Sequence, residues 1–166
     1  MLEFDQHYSE LEITQNPALG AYALWQFGLG HQEGDADLAP IPLVFLVIPM
    51  VFHARTLARI SSTFESSGLG KLVQKISENR EELLSIHQRA LAMRELSLNS
   101  LVLGISRGLI TPYYEAATIR STSPDLLPKV KVPDRAKKVG TASRKLGIWF
   151  SQFDTTDVVR ALNVSL

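Results

Sequence analysis

The chain has 166 residues, 45% of them hydrophobic and 20% charged, which suits a single folded domain whose core needs no covalent staples. There is no cysteine, which excludes disulfides, thiolate metal sites and a cysteine nucleophile. Net charge is zero but uneven: residues 1–40 hold seven acidic and no basic side chains, while residues 126–150 hold Lys129, Lys131, Arg135, Lys137, Lys138, Arg144 and Lys145 against Asp134 alone.

Residues 1–15 read as an acidic N-terminal arm. Asn16-Pro17 then predicts a helix start, because Asn accepts hydrogen bonds at an N-cap and Pro fits a first helical position where no N–H is needed. Ala18, Leu19, Ala21, Tyr22, Leu24, Trp25 and Phe27 make this helix apolar nearly all round, which implies burial on several sides, and Gly28 and Gly30 are expected to end it. His31 to Pro40 reads as a polar, acidic loop. The run Pro42 to Phe52 fits a buried strand or a buried helix by periodicity. Pro42 favours a short helix, and Pro49 interrupts either element. Residues 54–64 predict a further helix with Leu57, Ile60 and Phe64 on one stripe.

Gly68 to Ile76 predicts a short helix carrying Leu69, Leu72, Val73 and Ile76. Glu78 to Arg94 predicts a longer one with Leu83, Leu84, His87, Ala90 and Leu91 inward. Ser97 is expected to cap a third, with Leu98, Leu101, Val102 and Ile105 at i, i+3, i+4 and i+7 and Gly108 closing it. Two short strands, Leu109 to Thr111 and Ala116 to Arg120, flank Pro112-Tyr113-Tyr114. Three helices followed by a hairpin is the order of a winged helix. After a Ser-, Thr- and Pro-rich loop, a long helix from Asp134 carries Val139, Ala142, Leu146, Trp149, Phe150 and Phe153 on its core stripe, with Lys137, Lys138, Arg144 and Lys145 on the other side. Asp154 is expected to cap a short terminal helix.

The expected fold is therefore mainly α with a small β-hairpin, a single helical domain over 1–166 containing a winged-helix-like core. Its parts are the 1–15 arm, an apolar helical part over 16–64, the winged-helix-like part over 67–121, and a basic amphipathic helix with a C-terminal helix over 134–164. The first forty residues offer no positive n-region for secretion, and the apolar run Leu38 to Phe52 is shorter than the roughly 20 residues a bilayer requires. A cytoplasmic protein without a membrane partner is expected.

Motifs for chemistry fail on inspection. His7, His31, His53 and His87 have no metal-ligand spacing with one another or with carboxylates, and His31 with Glu33, Asp35 and Asp37 reads as a solvated acidic loop. Gly28-Leu29-Gly30 lacks the third glycine of a dinucleotide fingerprint, where Glu33 stands. Gly68-Leu69-Gly70-Lys71 fails as a phosphate loop, with Glu65 in the place of the first glycine and Leu72 in that of the Ser or Thr. No catalytic residue, metal or cofactor is assigned. The best candidate contact residues, for a protein partner or for DNA, are Lys129, Lys131, Arg135, Lys137, Lys138, Arg144 and Lys145, since their side chains neutralise phosphates and acidic side chains alike. Asn99, Ser100, Ser106 and Arg107 on the third helix of the winged-helix-like part are a poor set for reading a major groove.

Asn16-Pro17-Ala18-Leu19-Gly20 with Leu24-Trp25, Pro42-Leu43 through Ile48-Pro49 to His53 and Thr56, Ser67-Gly68-Leu69, Ser97-Leu98 with Gly108-Leu109-Ile110, and Lys145 to Phe150 together form a further pattern. Through these residues the chain resembles the middle components of bacterial three-component ABC ATPase systems, over nearly all of residues 16–164. The resemblance implies a bridge between an ATPase like the structural-maintenance-of-chromosomes type and an effector component, in conflict with phages or other invading DNA. It implies no catalytic residues. The leading expectation is a non-catalytic adaptor with protein partners, which could touch DNA within the complex; the rival is a stand-alone DNA-binding regulator.

Overall fold

Asn16 opens the first helix as the sequence predicts, its Oδ1 accepting from the N–H groups of Ala18 and Leu19 at 2.9 and 3.3 Å. In the computed structural model, which describes residues 15–35 and 38–165, this helix (α1, Pro17–Asp35) does not stop at Gly28 or Gly30. Those glycines serve close approach instead. A Cβ on Gly28 would overlap the Ser121 hydroxyl, and one on Gly30 would overlap the carbonyl oxygen of Arg144. The expected loop over 31–40 is correspondingly shortened: His31 lies buried on α1 beside Phe27, their ring centroids 6.2 Å apart. The acidic-arm expectation for 1–15 falls almost wholly outside the described residues.

After α1, the two-residue strand β1 (Ala39–Pro40) leads into α2 (Ile41–Val51), so the ambiguous run is a helix. Pro42 occupies its first turn, where a missing N–H costs nothing, while Pro49 lies inside it. Leu43, Val44, Leu46, Val47, Ile48, Met50 and Val51 are fully buried, which explains an apolar run with no polar face. The next helix, α3 (Ala54–Ser61), turns away by 103°. Among the described residues no single helix is long and apolar enough to cross a membrane. Ile60 is buried on α3 as expected, but Phe64 lies past the helix end and is 78% exposed.

Helices α4 (Gly68–Ser77), α5 (Arg80–Ala92) and α6 (Arg94–Ser106) follow in the predicted order, and then strands β2 (Ile110–Tyr113) and β3 (Thr118–Ser121). On α4 the expected face is inward, with Leu69, Leu72 and Ile76 buried. On α5 and α6 it is inward only in part, through Ala90 and Leu101. Glu82, Ile86 and Ala90 are buried on α5, and Ser97, Ser100, Leu101 and Gly104 on α6. Leu84, Leu91, Leu98 and Val102 point outward. Small side chains win the inner positions of α6 because α1 approaches closely there: a Cβ on Gly20 would overlap Ser100. Ser97 is therefore a buried residue of the first turn and makes no side-chain cap.

The hairpin gains a third strand from outside the 67–121 segment. The sheet runs β1-β3-β2, antiparallel throughout, with Ala39 opposite Ile119 and Ile110 opposite Ser121. Likewise, α6 packs mainly on α1, with few contacts to α5. The outer edge of β2 is blunted. Thr122 donates to the Leu109 carbonyl, so the alternation of the ladder turns Pro112 outward, where it has no N–H to offer a further strand.

The long helix α7 (Asp134–Phe150) starts where predicted and lies along α1 in the most extensive contact of the fold. Leu146, Trp149 and Phe150 are fully buried, and Phe150 meets Phe27 edge-on at 5.7 Å. Phe153, expected on the same stripe, sits beyond the helix end and is half-exposed. Asp154 caps α8 (Thr155–Ala161) by accepting from the Asp157 N–H at 2.8 Å. The described chain is thus mainly helical, with α1 sheathed by α6 and α7, and one small sheet.

Candidate functional site

The seven cations named from sequence divide into two groups. Arg144 is drawn inward on α7, pairing with Glu33 on α1 and with Glu65 at 3.4 Å. Lys145 aims its ammonium at the carbonyls of Ile60, Ser61 and Thr63, at 3.4, 3.2 and 2.9 Å. A cation suits this place, because the last carbonyls of α3 have no intrahelical partner and carry the negative end of its dipole. Trp149 assists by donating its indole N–H to the Glu65 carbonyl at 2.8 Å. These two cations hold the α3–α4 connection against α7.

The other five gather on residues 129–138. Lys129 and Lys131 stand on a stretch without helix or strand, and Arg135, Lys137 and Lys138 on the first turns of α7. All five are exposed. Asp134 answers Lys137 at 3.6 Å, but both side chains are well solvated and such a pair is worth little. The positive end of the α7 dipole adds to the field. Leu126 and Val130, 78% and 75% exposed, place apolar side chains among these charges. The arrangement can grip a partner that offers carboxylates or phosphates, and it offers apolar contacts beside them.

A second polar cluster has no signature in the sequence. Arg89, on the inner side of α5, donates Nε–H to the Pro49 carbonyl at 3.1 Å, one Nη to the Thr56 hydroxyl at 3.0 Å, and the other to the Ser85 hydroxyl. It thereby ties α5 to the end of α2 and the start of α3. Glu82, its side chain 1% exposed, pairs with Arg59 at 3.5 Å. His53 caps α3: its Nδ1 accepts from the Thr56 N–H at 3.3 Å and lies 3.0 Å from the Thr56 hydroxyl. Because Nδ1 accepts from the Thr56 N–H, it carries no proton, which places the ring proton on Nε2.

Burial, with the Arg89 charge next, lowers the His53 pKa below the ordinary histidine value, against an opposing pull from Glu82. The folded state thus binds the proton less readily than the unfolded chain. Stability from this group is present above the unfolded value of 6.5 and is lost as pH falls through the lower folded value. Thermal unfolding measured across this range should show the midpoint falling on acidification. His53→Asn, which retains a capping acceptor, should flatten that dependence.

An open cleft of about 620 Å³ is bordered by His31, Pro40, Thr118, Gln152 and Asp154 among others, but Asp154 is already engaged as the α8 cap. Among the described residues no group of three or more His, Asp and Glu side chains is placed to hold a metal ion. His87 lies half-buried and accepts from the Ser165 N–H at 3.3 Å. His7 lies outside the described residues.

No curated protein and no solved structure matches the chain. The family described as ABC-three component (ABC-3C) system Middle Component 3 matches it over residues 4–166. That span takes in both the α1–α7 pairing and the basic segment, and the resemblance carried by the short motifs is thereby extended to the whole chain. This protein belongs to the Middle Component 3 family of ABC-three component systems.

Proposed function

We propose that the protein is a non-catalytic adaptor that joins an ABC ATPase of the structural-maintenance-of-chromosomes kind to an effector component, in a cytoplasmic bacterial complex of the defence type. Family membership supports a role among protein partners. The observation that carries the docking part is the 129–138 segment: five exposed cations against Asp134, with Val130 exposed between Lys129 and Lys131. An acidic surface with apolar side chains fits it, and such charge complementarity speeds encounter and fixes register more than it adds affinity.

Capture of the tagged chain, co-expressed with the products of its neighbouring genes at low salt, should recover the ATPase or the effector. Reversing Lys129, Lys131, Lys137 and Lys138 to Glu should lower recovery of one partner about tenfold or more without unfolding the chain. Recovery of neither partner by the unaltered protein rules the adaptor out.

The rival reading is a stand-alone winged-helix regulator bound to DNA, and the helix-then-hairpin order of α6, β2 and β3 favours it. Against it, the exposed residues of α6 are Arg94, Glu95, Leu98, Asn99, Val102 and Ser106, a set with one cation, one carboxylate and two aliphatic side chains. Base-edge readers are usually richer in Arg, Lys, Asn and Gln. That reading requires the purified protein alone to shift duplex DNA, with an affinity that falls steeply as salt rises.

A further inference from the structure

The first fourteen residues and the basic segment carry opposite charge. Residues 1–14 hold Glu3, Asp5, Glu10 and Glu12 and no Lys or Arg, while Lys129, Lys131, Lys137 and Lys138 stand exposed around Asp134. Both also carry apolar side chains among their charges. Leu126 and Val130 are exposed on the basic side, and Leu2, Phe4, Leu11 and Ile13 stand among the acids. Acidic and apolar residues alternate in Glu10-Leu11-Glu12-Ile13, and basic and apolar residues alternate in Lys129-Val130-Lys131-Val132. Two extended segments with those rhythms can set carboxylate against ammonium on one side and aliphatic against aliphatic on the other.

The fold brings the two to one end of the molecule. Helices α1 and α7 run in parallel: a Cβ on Gly140 would overlap the Tyr22 ring, and one on Gly34 would overlap the Ser151 hydroxyl. Pro17 opens α1 five residues before Tyr22, and Asp134 opens α7 six residues before Gly140. At about 1.5 Å of rise per residue, both helices begin roughly 8–9 Å from that contact along their axes. The chain therefore enters α1 at the end of the helix pair where Lys137 and Lys138 stand. Lys129 and Lys131 approach the same end, on the stretch that runs from Thr122, whose carbonyl accepts from the Trp25 indole of α1, into Asp134. Glu12 is five residues from Pro17 and can reach about 17 Å from it. A segment tethered so closely stands at an effective concentration of roughly millimolar, which favours it over the same segment of a second copy.

We propose that residues 1–14 dock on the face formed by residues 126–138 of their own chain and cover it until a partner displaces them. The contact stands on charge, apolar match and placement. Its consequence rests on the adaptor reading: a partner for this face must outcompete a tethered acidic arm, which lowers apparent affinity and rejects weakly acidic competitors.

The chain has no cysteine, so one nitroxide spin label at Val130→Cys can report on the arm of the full chain by nuclear magnetic resonance. The amide signals of residues 1–14 should broaden strongly. They should broaden far less with the label at Phe64→Cys, an exposed position toward the other end of α7, beside the bond from the Trp149 indole to the Glu65 carbonyl. Broadening should weaken at about 1 M salt, where the screening length is about 3 Å. Glu10→Lys with Glu12→Lys should abolish it, and adding Lys129→Glu with Lys131→Glu should restore it. Broadening unchanged by salt and by charge reversal reflects tethering alone and overturns the proposal, as does no broadening at all. So does equal broadening in a mixture of spin-labelled chain with isotope-enriched, label-free chain, which places the arm on a second copy. The two readings fail separately. Without charge-dependent broadening the arm contact falls, even where a neighbouring gene product is captured; with it the contact stands, even where none is.

Discussion

Gly30→Val and Gly147→Val are each expected to destabilise the protein by about 4 kcal/mol, at the upper end of what overpacking costs. At position 30 the new Cβ meets the carbonyl oxygen of Arg144, and at position 147 it meets that of Phe27. Both obstacles are backbone atoms inside helices, so no rotamer change relieves them. The helices must part, and Phe27, Leu146, Trp149 and Phe150, all fully buried, lose packing as they do. For a chain of this size the unfolding midpoint should drop by roughly 10 °C. Gly70→Ala is the control. It sits on the exposed side of α4 with nothing near its Cβ position, so replacing it should stabilise by about 0.5–1 kcal/mol through helix propensity alone. Denaturant titration of the three variants separates these outcomes. If Gly30→Val behaves like Gly70→Ala, the close approach of α1 and α7 is not real.

Arg89→Leu is expected to cost about 3 kcal/mol, although it exchanges a charge for an aliphatic side chain in a largely apolar setting. Three donors disappear at once. The Pro49 carbonyl belongs to the last turn of α2, where no intrahelical N–H can reach it, and Arg89 is its partner. The Thr56 and Ser85 hydroxyls lose a bond each. Glu82, already supplied on only one oxygen, loses a nearby positive charge. Arg89→Lys should recover only part of the loss, since one ammonium cannot reach three acceptors that lie in different directions around a planar guanidinium. Chemical denaturation of both variants gives the ranking, and equal stability of Lys and Leu at this position would refute the argument.

Element types were largely legible from the sequence because they rest on local signals. Asn16-Pro17, Pro42, Asp154 and the 3.6-residue rhythm of residues 68–76 each state a boundary or a face within a few neighbouring residues. What was not legible depends on partners far along the chain. Gly28 and Gly30 read as a helix stop until Ser121 and Arg144 are seen against them. Leu98 and Val102 outrank Ser97 and Ser100 as core residues on hydrophobicity, but a close helix crossing selects for size, and α1 supplies that crossing. The basic site shows the same divide. Charge density marked all seven cations equally, yet Arg144 and Lys145 have internal partners on α1, α3 and the turn after α3, and the five that remain form the exposed segment. Arg89 carried no signal, since two of its three partners come from other helices and it stands in no motif.

The sheathing of α1 by α6 and α7 has a consequence for the order in which the protein is made. During synthesis α1 emerges well before α6 and α7, with Leu24, Trp25 and Phe27 on its surface, and the helix that covers it most fully lies more than a hundred residues later, as the Arg144–Glu33 pair shows with its separation of 111 residues. Until residues 134–150 leave the ribosome, this largely apolar helix has only part of its final covering. Pairing of such distant segments is slow, and the waiting surface is prone to wrong contacts. Translation of this chain thus passes through a long interval in which its own helix α7 is the missing chaperone.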